Sequence, residues 1–457
     1  MQMKNMTIEN IAASCGGVLH NCDDILKNEV TGVTTDSRAV TAGNLFIAMR
    51  GTHDGHDFVP SAIDKGAMCV VVEKAPKDAA YPYIKVTKTA IAIQRIAEFY
   101  RVSLGIPVVG ITGSVGKTST KEMIASVLSQ KYNVLKTAGN FNNNLGLPLT
   151  IFRITEEHEI AVLEMGISHF GEMTDLARTA RPNTMVITNI GTCHLEFLKD
   201  RDGVFEAKTE CFEYVDFENG IVVLNGEDDK LAKVDQVHGR APIFYGCDDS
   251  FRVYADNIQP RGIEGISCTI NMDDRSFDVL IPVPGRHQVM NALAGAIVGS
   301  VYGLTDEEIK AGIESLEPLG GRFKILKNIG MTVIDDCYNA NPMSMKASLG
   351  VLSDVEERTV AILGDMGELG ENEAALHREV GEAAGEMSID AFVLVGKLAK
   401  NIAEGIRSVN PDAEILWFAT VDEALAEIKD VVRPGDVVLV KASHFMHFDR
   451  IVSELTV

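Results

Sequence analysis

Residues 106–119 decide the fold class, because they join an apolar strand to a glycine-rich loop and the start of a helix. They read Ile106-Pro107-Val108-Val109-Gly110-Ile111-Thr112-Gly113-Ser114-Val115-Gly116-Lys117-Thr118-Ser119. A continuous apolar run is typical of a parallel strand that is buried on both faces. Gly-Lys-Thr at the end of such a strand is typical of a phosphate-binding loop. The segment therefore predicts an α/β domain that binds a nucleotide.

The predicted loop has the residue types that phosphate binding requires. Its glycines let the backbone turn so that successive N–H groups point at phosphate oxygens. The helix should begin near Lys117, whose amine can reach the β- and γ-phosphates, and the helix N-terminus favours anions. The strict motif has glycine five residues before Gly116, where this chain has Ile111. A glycine-rich turn without a ligand is the alternative. We predict ATP contacts from Thr112, Gly113, Ser114, Val115, Gly116, Lys117, Thr118 and Ser119.

Composition and charge exclude several classes of protein. The chain has 457 residues, which at roughly 150 residues per domain suggests three domains. Lys and Arg number 42 and Asp and Glu 65, so the formal charge is 42 − 65 = −23. A charge of this sign argues against nonspecific nucleic-acid binding, which requires a basic surface. If the substrates are phosphates, the cations that bind them must be few and local.

The first residues, the uncharged stretches and the cysteines predict a cytoplasmic protein without a membrane span. The first residues do not lead into a signal-peptide core. The longest uncharged stretch, residues 287–305, contains polar residues and glycines, so a buried helix is expected there instead of a membrane span. The eight cysteines form no Cys-x-x-Cys pair, which is typical of reduced thiols in the cytosol.

The order of apolar runs divides the chain into three α/β blocks. We predict domains at residues 1–83, 84–316 and 317–457, with a turn-rich junction at Pro318-Leu319-Gly320-Gly321. In the central block, apolar strands alternate with helical patterns, which indicates a mostly parallel sheet covered on both faces. Residues 250–283 alternate apolar and polar positions, which favours an antiparallel addition to that sheet.

Three side chains in the central block are candidates for metal chemistry. Glu164 follows the apolar run at residues 160–163, and His194 lies shortly after the run at residues 184–190. Each has an ordinary alternative, namely a surface carboxylate at a strand end and a loop histidine. Lys208 falls on a predicted amphipathic helix, where a lysine is usually a solvated charge. Physical reasoning alone therefore gives Lys208 no role.

Together these motifs resemble the Mur ligase family, and the details resemble its MurF type. The first block contains Thr35-Asp36-Ser37-Arg38, and the second contains Gly139-Asn140-Phe141-Asn142-Asn143, Glu164-Met165-Gly166 and His194-Leu195-Glu196. The third contains Asp335-Asp336-Cys337-Tyr338-Asn339-Ala340-Asn341-Pro342 and Gly364-Asp365-Met366. The Asp-Asn-Pro-Arg motif of the MurE type does not occur in the chain.

The resemblance implies a role for each candidate residue. Lys117 would bind the phosphates, Thr118 and Glu164 would ligate one Mg²⁺, and His194 with a carbamylated Lys208 would ligate a second. The catalytic set implied is Lys117, Glu164, His194 and Lys208. Asn291, Arg322 and Asp336 would contact the adenine, the nucleotide and the ribose of ATP. The substrate-binding residues implied are Ser37, Arg38, Asn140, Asn142 and Asn143.

The fold that the resemblance implies has a UDP-sugar-binding domain, a central ATP-binding domain with a P-loop ATPase-like sheet, and a Rossmann-like C-terminal domain. The reaction implied is ATP-dependent amide synthesis between D-alanyl-D-alanine and UDP-N-acetylmuramoyl-tripeptide, through an acyl phosphate, by a monomer. A MurE-type ligase that adds a single diamino acid is the alternative within the family. A GTPase should have Asn-Lys-x-Asp, and Asn-Lys is absent from the chain. A noncatalytic nucleotide-binding protein would be expected to lack Lys117, Glu164 or Lys208.

Overall fold

Three sheets follow one another along the chain in the parts that the structure, a computed structural model, describes. These parts are residues 2–75, 79–317, 320–328 and 330–456. Pro318 and Leu319, half of the predicted turn-rich junction, lie outside the described residues. The three predicted α/β blocks are therefore confirmed as three layered units, each with its own sheet.

The first unit is a five-stranded sheet with helices packed against it. Its strands are β1 (Val18–His20), β2 (Gly32–Thr34), β3 (Asn44–Ile47), β4 (Cys69–Val72) and β5 (Tyr83–Lys85). Its helices are α1 (Ile8–Cys15) and α2 (Val59–Asp64), and α3 (Thr89–Leu104) leads to the second unit. The order is β1-β5-β4-β3-β2, and only β1 and β5 pair antiparallel. The last strand ends two residues beyond residue 83, where the sequence predicts the domain to end.

The central sheet has nine strands and places the ends of its parallel strands along one edge. They are β6 (Val108–Thr112), β7 (Val134–Lys136), β8 (Ile160–Glu164), β9 (Thr184–Ile187), β10 (Ile221–Asn225), β11 (Ile243–Gly246), β12 (Val253–Pro260), β13 (Ile266–Met272) and β14 (Arg275–Ile281). The order is β14-β13-β12-β11-β10-β9-β6-β8-β7. Strands β12, β13 and β14 pair antiparallel, as the alternating pattern predicts, and the other pairs are parallel.

Helices cover both faces of the central sheet. They are α4 (Lys117–Leu128), α5 (Gly146–Ile151), α6 (Glu172–Ala180), α7 (Leu195–Leu198), α8 (Arg201–Thr209), α9 (His287–Val301) and α10 (Asp306–Glu314). Residues 287–301 of the uncharged stretch form a largely buried helix, because α9 packs against α4 and against β10–β14, and the stretch leaves the helix after Val301. Among the described residues, no helix is both long enough and apolar enough to span a bilayer.

The third unit is a six-stranded sheet with helices on both faces. Its strands are β15 (Lys324–Asn328), β16 (Met331–Asp335), β17 (Thr359–Gly364), β18 (Ala391–Val395), β19 (Glu414–Phe418) and β20 (Val437–Lys441). Its helices are α11 (Pro342–Ser353), α12 (Glu373–Gly385), α13 (Ala399–Val409), α14 (Val421–Val431) and α15 (Asp449–Thr456). The order is β15-β16-β20-β17-β18-β19, with β15 antiparallel and the rest parallel. The Rossmann-like layering predicted for this block is confirmed.

Buried apolar clusters extend across the boundaries between the units. One includes Ile93 of α3 together with Leu163 of β8, and another includes Leu293 of α9 together with Leu349 of α11. All eight cysteines lie in described residues and none forms a disulfide. The apolar contacts fix how the edges of the central and third sheets face each other, and the candidate site lies where they meet.

Candidate active site

A cleft of about 770 Å³ lies at the carboxyl ends of the central strands and faces the third unit. This is the place where open α/β sheets bind ligands, and the volume is within the ordinary range for a small-molecule site. The cleft brings together most of the predicted site residues. Those that line it are Ser114, Val115, Gly116, Lys117, Thr118, Ser119, Asn140, Asn142, Asn143, Glu164, His194, Asn291, Arg322 and Asp336.

The predicted phosphate loop forms the floor of the cleft between β6 and α4. Gly113 and Gly116 have φ values of +150° and +83°, which side chains disfavour. A Cβ on Gly113 would lie 1.9 Å from Thr188 Oγ1, so the site requires glycine on steric grounds as well. Lys117 Nζ donates to the carbonyl oxygens of Gly113 at 2.8 Å and Ser114 at 3.3 Å. The amine therefore folds back over the loop, close to where phosphates would bind.

The loop is anchored to the segment that follows the neighbouring strand β9. Ser114 Oγ accepts from the Gly191 N–H at 2.8 Å, and the Val115 N–H donates to Asn189 Oδ1 at 2.9 Å. Thr112 and Gly113 do not line the cleft: the Thr112 hydroxyl donates to the Met165 carbonyl at 2.8 Å. The ATP contacts predicted for these two residues stay predictions, and the structure places them at the base of the loop.

Glu164, at the end of β8, faces the first turn of α4. It is buried, and its Oε2 accepts from Thr118 Oγ1 at 2.7 Å while its Oε1 accepts from Asn142 Nδ2 at 2.8 Å. The ordinary alternative, a solvated carboxylate at a strand end, does not apply. A buried carboxylate next to a hydroxyl offers hard oxygen atoms of the kind that Mg²⁺ binds.

Lys208 is the candidate for which physical reasoning from the sequence was wrong. It lies on α8 as predicted but is 1% exposed, so it is not a solvated charge. Among the described residues, its Nζ has no hydrogen-bond or ion-pair partner. Burial, with a smaller contribution from the nearby Lys117, lowers the pKa of Lys208 to about 8. Lys208 does not line the cleft itself, and it is a buried amine with a substantial neutral fraction.

His194 faces the third unit across the cleft. Its Nδ1 is buried and lies 2.7 Å from Oε2 of Glu368, in the loop that follows β17. The contact is short, although in this arrangement it does not meet the geometric criteria for a hydrogen bond. The imidazole lowers the pKa of Glu368.

The third unit contributes an ion pair between buried Lys441 and partly buried Asp336 to the opposite wall of the cleft. Asp336 Oδ2 lies 2.5 Å from Lys441 Nζ and also accepts from Ser348 Oγ at 2.6 Å. Asp336 Oδ1 accepts from the Phe323 N–H at 3.2 Å. The carboxylate that the resemblance assigns to the ribose therefore already has three donors. The guanidinium of Arg322 stacks 4.0 Å from the centre of the Tyr338 ring.

The remaining predicted residues divide between the cleft and the first unit. Asn291 Oδ1 accepts from Thr120 Oγ1 at 2.7 Å, which ties α9 to α4. Asn143 Oδ1 accepts from the Gly146 N–H at 2.8 Å at the start of α5. Ser37 and Arg38 do not line the cleft; the Arg38 guanidinium pairs with Asp36 at 2.8 Å. Their predicted role in substrate binding stays a prediction.

Two charged residues of the site were missed in the sequence. Lys441 ends β20, directly beside the strand that precedes Asp336, because Asp335 and Val440 are register partners in parallel strands. The criterion that selects Glu164, a charged residue at the end of an apolar parallel strand, would also have selected Lys441. Glu368 has no such signal, because its contact with His194 depends on how two separate units pack.

The oxygen donors of the site fit one divalent cation as they stand. A second cation would fit only if Lys208 were carbamylated. No group of three or more His, Cys, Asp or Glu side chains that could hold a metal occurs among the described residues. Mg²⁺ does not require one, because it usually keeps waters and takes its remaining ligands from substrate phosphates. Thr118 and Glu164 offer oxygens. Lys208 does not fit as an amine, and it would fit only as a carbamate, which supplies carboxylate oxygens.

Comparisons with known proteins extend over the whole chain. Three family models match: "Mur ligase family, catalytic domain" at residues 29–111, "Mur ligase middle domain" at 111–299 and "Mur ligase, glutamate ligase domain" at 321–444. The chain is 36% identical to UDP-N-acetylmuramoyl-tripeptide–D-alanyl-D-alanine ligase of Bacillus subtilis, covering 99% of each protein. It is also 36% identical to the Escherichia coli ligase of that name, covering 96% of this chain and 98% of that protein.

Solved structures of similar proteins have the same fold. MurF from Acinetobacter baumannii superposes with a TM-score of 0.92 at 30% identity, covering 100% of this chain and 99% of that one. MurF from Thermotoga maritima in complex with ADP superposes with a TM-score of 0.81 at 30% identity, covering 93% and 96%. With full-length relatives above 30% identity and family models over all three units, the chain belongs to the Mur ligase family.

Proposed function

We propose that the chain is an ATP-dependent ligase that joins D-alanyl-D-alanine to UDP-N-acetylmuramoyl-tripeptide, a step of peptidoglycan precursor synthesis. One observation carries the proposal: a single cleft combines a phosphate loop, a buried carboxylate and cationic groups of the third unit. The substrates are those in the names of the relatives at 36% identity. Activation of a carboxylate by ATP requires the same combination of phosphate binding and charge neutralisation.

The proposed chemistry has two steps. The terminal carboxylate of the tripeptide attacks the γ-phosphorus of ATP, which forms an acyl phosphate and releases ADP. The amine of D-alanyl-D-alanine then attacks the acyl carbon, a tetrahedral intermediate forms, and phosphate leaves as the amide is made. A carboxylate is a poor electrophile and phosphate is a good leaving group, so the first step makes the second possible.

The chain's own residues position the reactants and neutralise oxygen charge. Lys117 and the loop N–H groups would hold the β- and γ-phosphates, where their charges act at short range. Arg322 would reach the nucleotide from the third unit, and Asn291 lies close enough to the loop to border the adenine. Asp336 would accept a hydrogen bond from a ribose hydroxyl, through the carboxylate lone pair that its three present donors do not use. Catalysis then depends mainly on positioning.

The divalent cations would be held by the two pairs of residues described above. Thr118 and Glu164 would hold one Mg²⁺, and His194 with carbamylated Lys208 would hold the other. When bound, Mg²⁺ supplies charge stabilisation at the phosphate oxygens. Asn142 would orient Glu164 through its 2.8 Å hydrogen bond, in addition to any contact with substrate.

The proposed carbamate follows from the environment of Lys208. A neutral amine adds to CO₂ to give a carbamate and releases one proton. The lowered pKa of Lys208, about 8, leaves a larger neutral fraction at neutral pH than an exposed lysine has. Conversion to an anion would also give this side chain the chemistry that Mg²⁺ binds.

Each unit has a proposed role. The first would bind the UDP-sugar with Ser37 and Arg38, the second would bind ATP, and the third would close over it. Asn140, Asn142 and Asn143 would contact the peptide end of the substrate, because they line the cleft beside Glu164. A monomer is sufficient, because one chain supplies the whole cleft, and the cytoplasm is the compartment in which ATP and unpaired cysteines are both expected.

Acceptor selectivity tests the proposal. Phosphate release from ATP is measured with two pairs of substrates: UDP-N-acetylmuramoyl-tripeptide with D-alanyl-D-alanine, and UDP-N-acetylmuramoyl-L-alanyl-D-glutamate with a single diamino acid. We expect release with the dipeptide and only background with the amino acid. Release with the amino acid alone would replace the proposal by the MurE-type reaction, and a Lys117→Met variant controls for contaminating ATPases.

A further inference from the structure

The contact between His194 and Glu368 joins two units of the protein at the candidate metal site. His194 precedes α7 of the central unit, and Glu368 follows β17 of the third unit. Nδ1 of the histidine and Oε2 of the glutamate are 2.7 Å apart. Gly370 lies against Glu196 in the same region, 3.6 Å from the Glu196 N to the position of a Cβ on the glycine. The approach is therefore part of a continuous contact between two loops.

Both residues of the pair have a backbone conformation that their side chains disfavour. The φ values of His194 and Glu368 are +52° and +59°, in the left-handed region. For residues other than glycine this conformation persists only where the surrounding structure enforces it, and such residues concentrate at functional sites. Two of them face each other here, from different units.

The Glu368 loop is held firmly by its own unit. The Met366 N–H donates to His377 Nε2 at 2.8 Å, and the Gly367 N–H donates to Ser443 Oγ at 2.9 Å. These bonds immediately precede Glu368 and fix where its carboxylate can reach. The position of the carboxylate is therefore set by the third unit, while the imidazole belongs to the central one.

The pair also determines which nitrogen of His194 remains accessible. Nδ1 is buried against Glu368. The His194 side chain as a whole is 23% exposed and lines the cleft. Nε2 is on the opposite edge of the ring and has no hydrogen-bond partner among the described residues. Ligating histidines commonly have a carboxylate at the nitrogen that does not bind the metal, and it orients the ring.

We propose that Glu368 is a positioning residue that orients His194 for binding a divalent cation through Nε2, and that it does so only when the third unit is packed against the central one. The inference rests on the proposed function, because that assigns His194 to a cation. It deepens that function by coupling the metal site to the packing of the two units. Glu368 acts through His194 and does not touch the reacting atoms.

Manganese binding to the full-length protein tests the role without requiring turnover. Mn²⁺ is titrated into protein saturated with ADP, and free Mn²⁺ is followed by electron paramagnetic resonance. We expect Glu368→Gln to weaken the binding of one Mn²⁺ by about tenfold, the lower end of the effect of removing a partner of a metal-ligating histidine. Glu371→Gln, the same change at an exposed position three residues away, should bind like the unaltered protein.

A double-mutant cycle separates positioning from a structural effect. In a His194→Ala background, Glu368→Gln should cause no further loss, because its effect passes through the imidazole. Equal losses in both backgrounds, or an unchanged affinity in Glu368→Gln, would overturn the proposal. If Glu368→Gln does not fold, Glu368→Asp provides the same comparison with its charge retained. Failure of the proposed function would appear separately, as absence of phosphate release by unaltered protein that still binds Mn²⁺.

Discussion

Lys208 shows how far the surroundings of a residue can change its chemistry. On an exposed helix its ammonium would be solvated, but the packing of α8 leaves it 1% exposed. Burial without a counter-charge penalises the ammonium, which is why its pKa falls. A carbamate would convert the penalised cation into an anion that a divalent cation can compensate.

The buried amine should make the unmodified protein less stable near neutral pH. The pKa of Lys208 is lowered from 10.5 to about 8, so between these values the unfolded chain binds a proton that the folded chain does not. Stability therefore rises with pH across that window, and the penalty is complete below about pH 8. In CO₂-free buffer, Lys208→Met should raise the free energy of unfolding at pH 7 by about 3 kcal/mol.

Denaturant unfolding at pH 7 and pH 10 measures this effect. The advantage of Lys208→Met should shrink to about 1 kcal/mol at pH 10, because the amine of the folded protein is then neutral and that of the unfolded chain, with a pKa of 10.5, has begun to lose its proton. An advantage of the same size at both pH values would show that the variant acts through packing and not through charge.

The Thr118 hydroxyl has a testable part in the proposed metal site. Thr118→Val keeps the shape but removes the 2.7 Å hydrogen bond to Glu164 and one proposed Mg²⁺ ligand. We expect kcat/KM for ATP to fall about 10- to 100-fold, as for loss of a group that supports a metal site. Thr118→Ser, which keeps the hydroxyl, is the matched control, and steady-state phosphate release is the measurement. Equal rates for the valine and serine variants would remove this role.

The site could be predicted from sequence only where chemistry follows local pattern. The phosphate loop and Glu164 lie at the end of apolar strands, and parallel strands bring such ends together at one edge. Lys208 and Glu368 escaped, because their surroundings come from elements distant in sequence, whereas Lys441 ends an apolar strand and could have been selected by the same criterion as Glu164. The amphipathic pattern around Lys208 favoured an exposed position, and only the family resemblance gave this residue a role.

At the scale of elements, the loop between β6 and α4 depends on two glycines. Gly113→Ala would place a methyl group 1.9 Å from Thr188 Oγ1 in a backbone with φ of +150°. We expect a loss of about 1–3 kcal/mol in the free energy of unfolding and a loss of ADP affinity, because the loop must shift.

A second glycine provides the control for this change. Gly350, inside α11, has open space around its Cβ position. Gly350→Ala should stabilise the protein by about 0.4–1 kcal/mol with ADP affinity unchanged. Thermal melts and calorimetric ADP titrations of both variants check the pair. Tight ADP binding by Gly113→Ala would contradict the steric account of the loop.

The elements themselves were largely predictable, and their arrangement was less so. Apolar runs located β8 and β9, and the alternating pattern at residues 250–283 located the antiparallel strands. The order of strands in the sheets could not be read from these patterns, because it depends on how helices pack across their faces. Strand β5 extends two residues beyond the domain end predicted at residue 83, because its pairing with β4 continues to Lys85.

The whole molecule has a formal charge of −23, yet its proposed substrates are polyanions. The cleft resolves this through local charge: Lys117, Arg322 and Lys441 line it, and the loop N–H groups add partial positive charge. Net charge therefore bears on nucleic-acid binding but does not exclude phosphate substrates.

The packing of the third unit on the central one should respond to ligands. ATP would touch the loop of one and Arg322 of the other, so binding should favour the arrangement in which they meet. Small-angle scattering should give a smaller radius of gyration with ADP, Mg²⁺ and the UDP-tripeptide than without them. An unchanged radius with every ligand present would contradict closure.

The fate of oxygen in the reaction tests the central claim most directly. The tripeptide carboxylate is labelled with ¹⁸O, the protein is supplied with ATP and D-alanyl-D-alanine, and the products are analysed by mass spectrometry. An acyl phosphate transfers one labelled oxygen to inorganic phosphate and leaves the other in the new amide. We predict this distribution, with ADP as the nucleotide product. Label in AMP, or unlabelled phosphate formed together with the amide, would contradict the account.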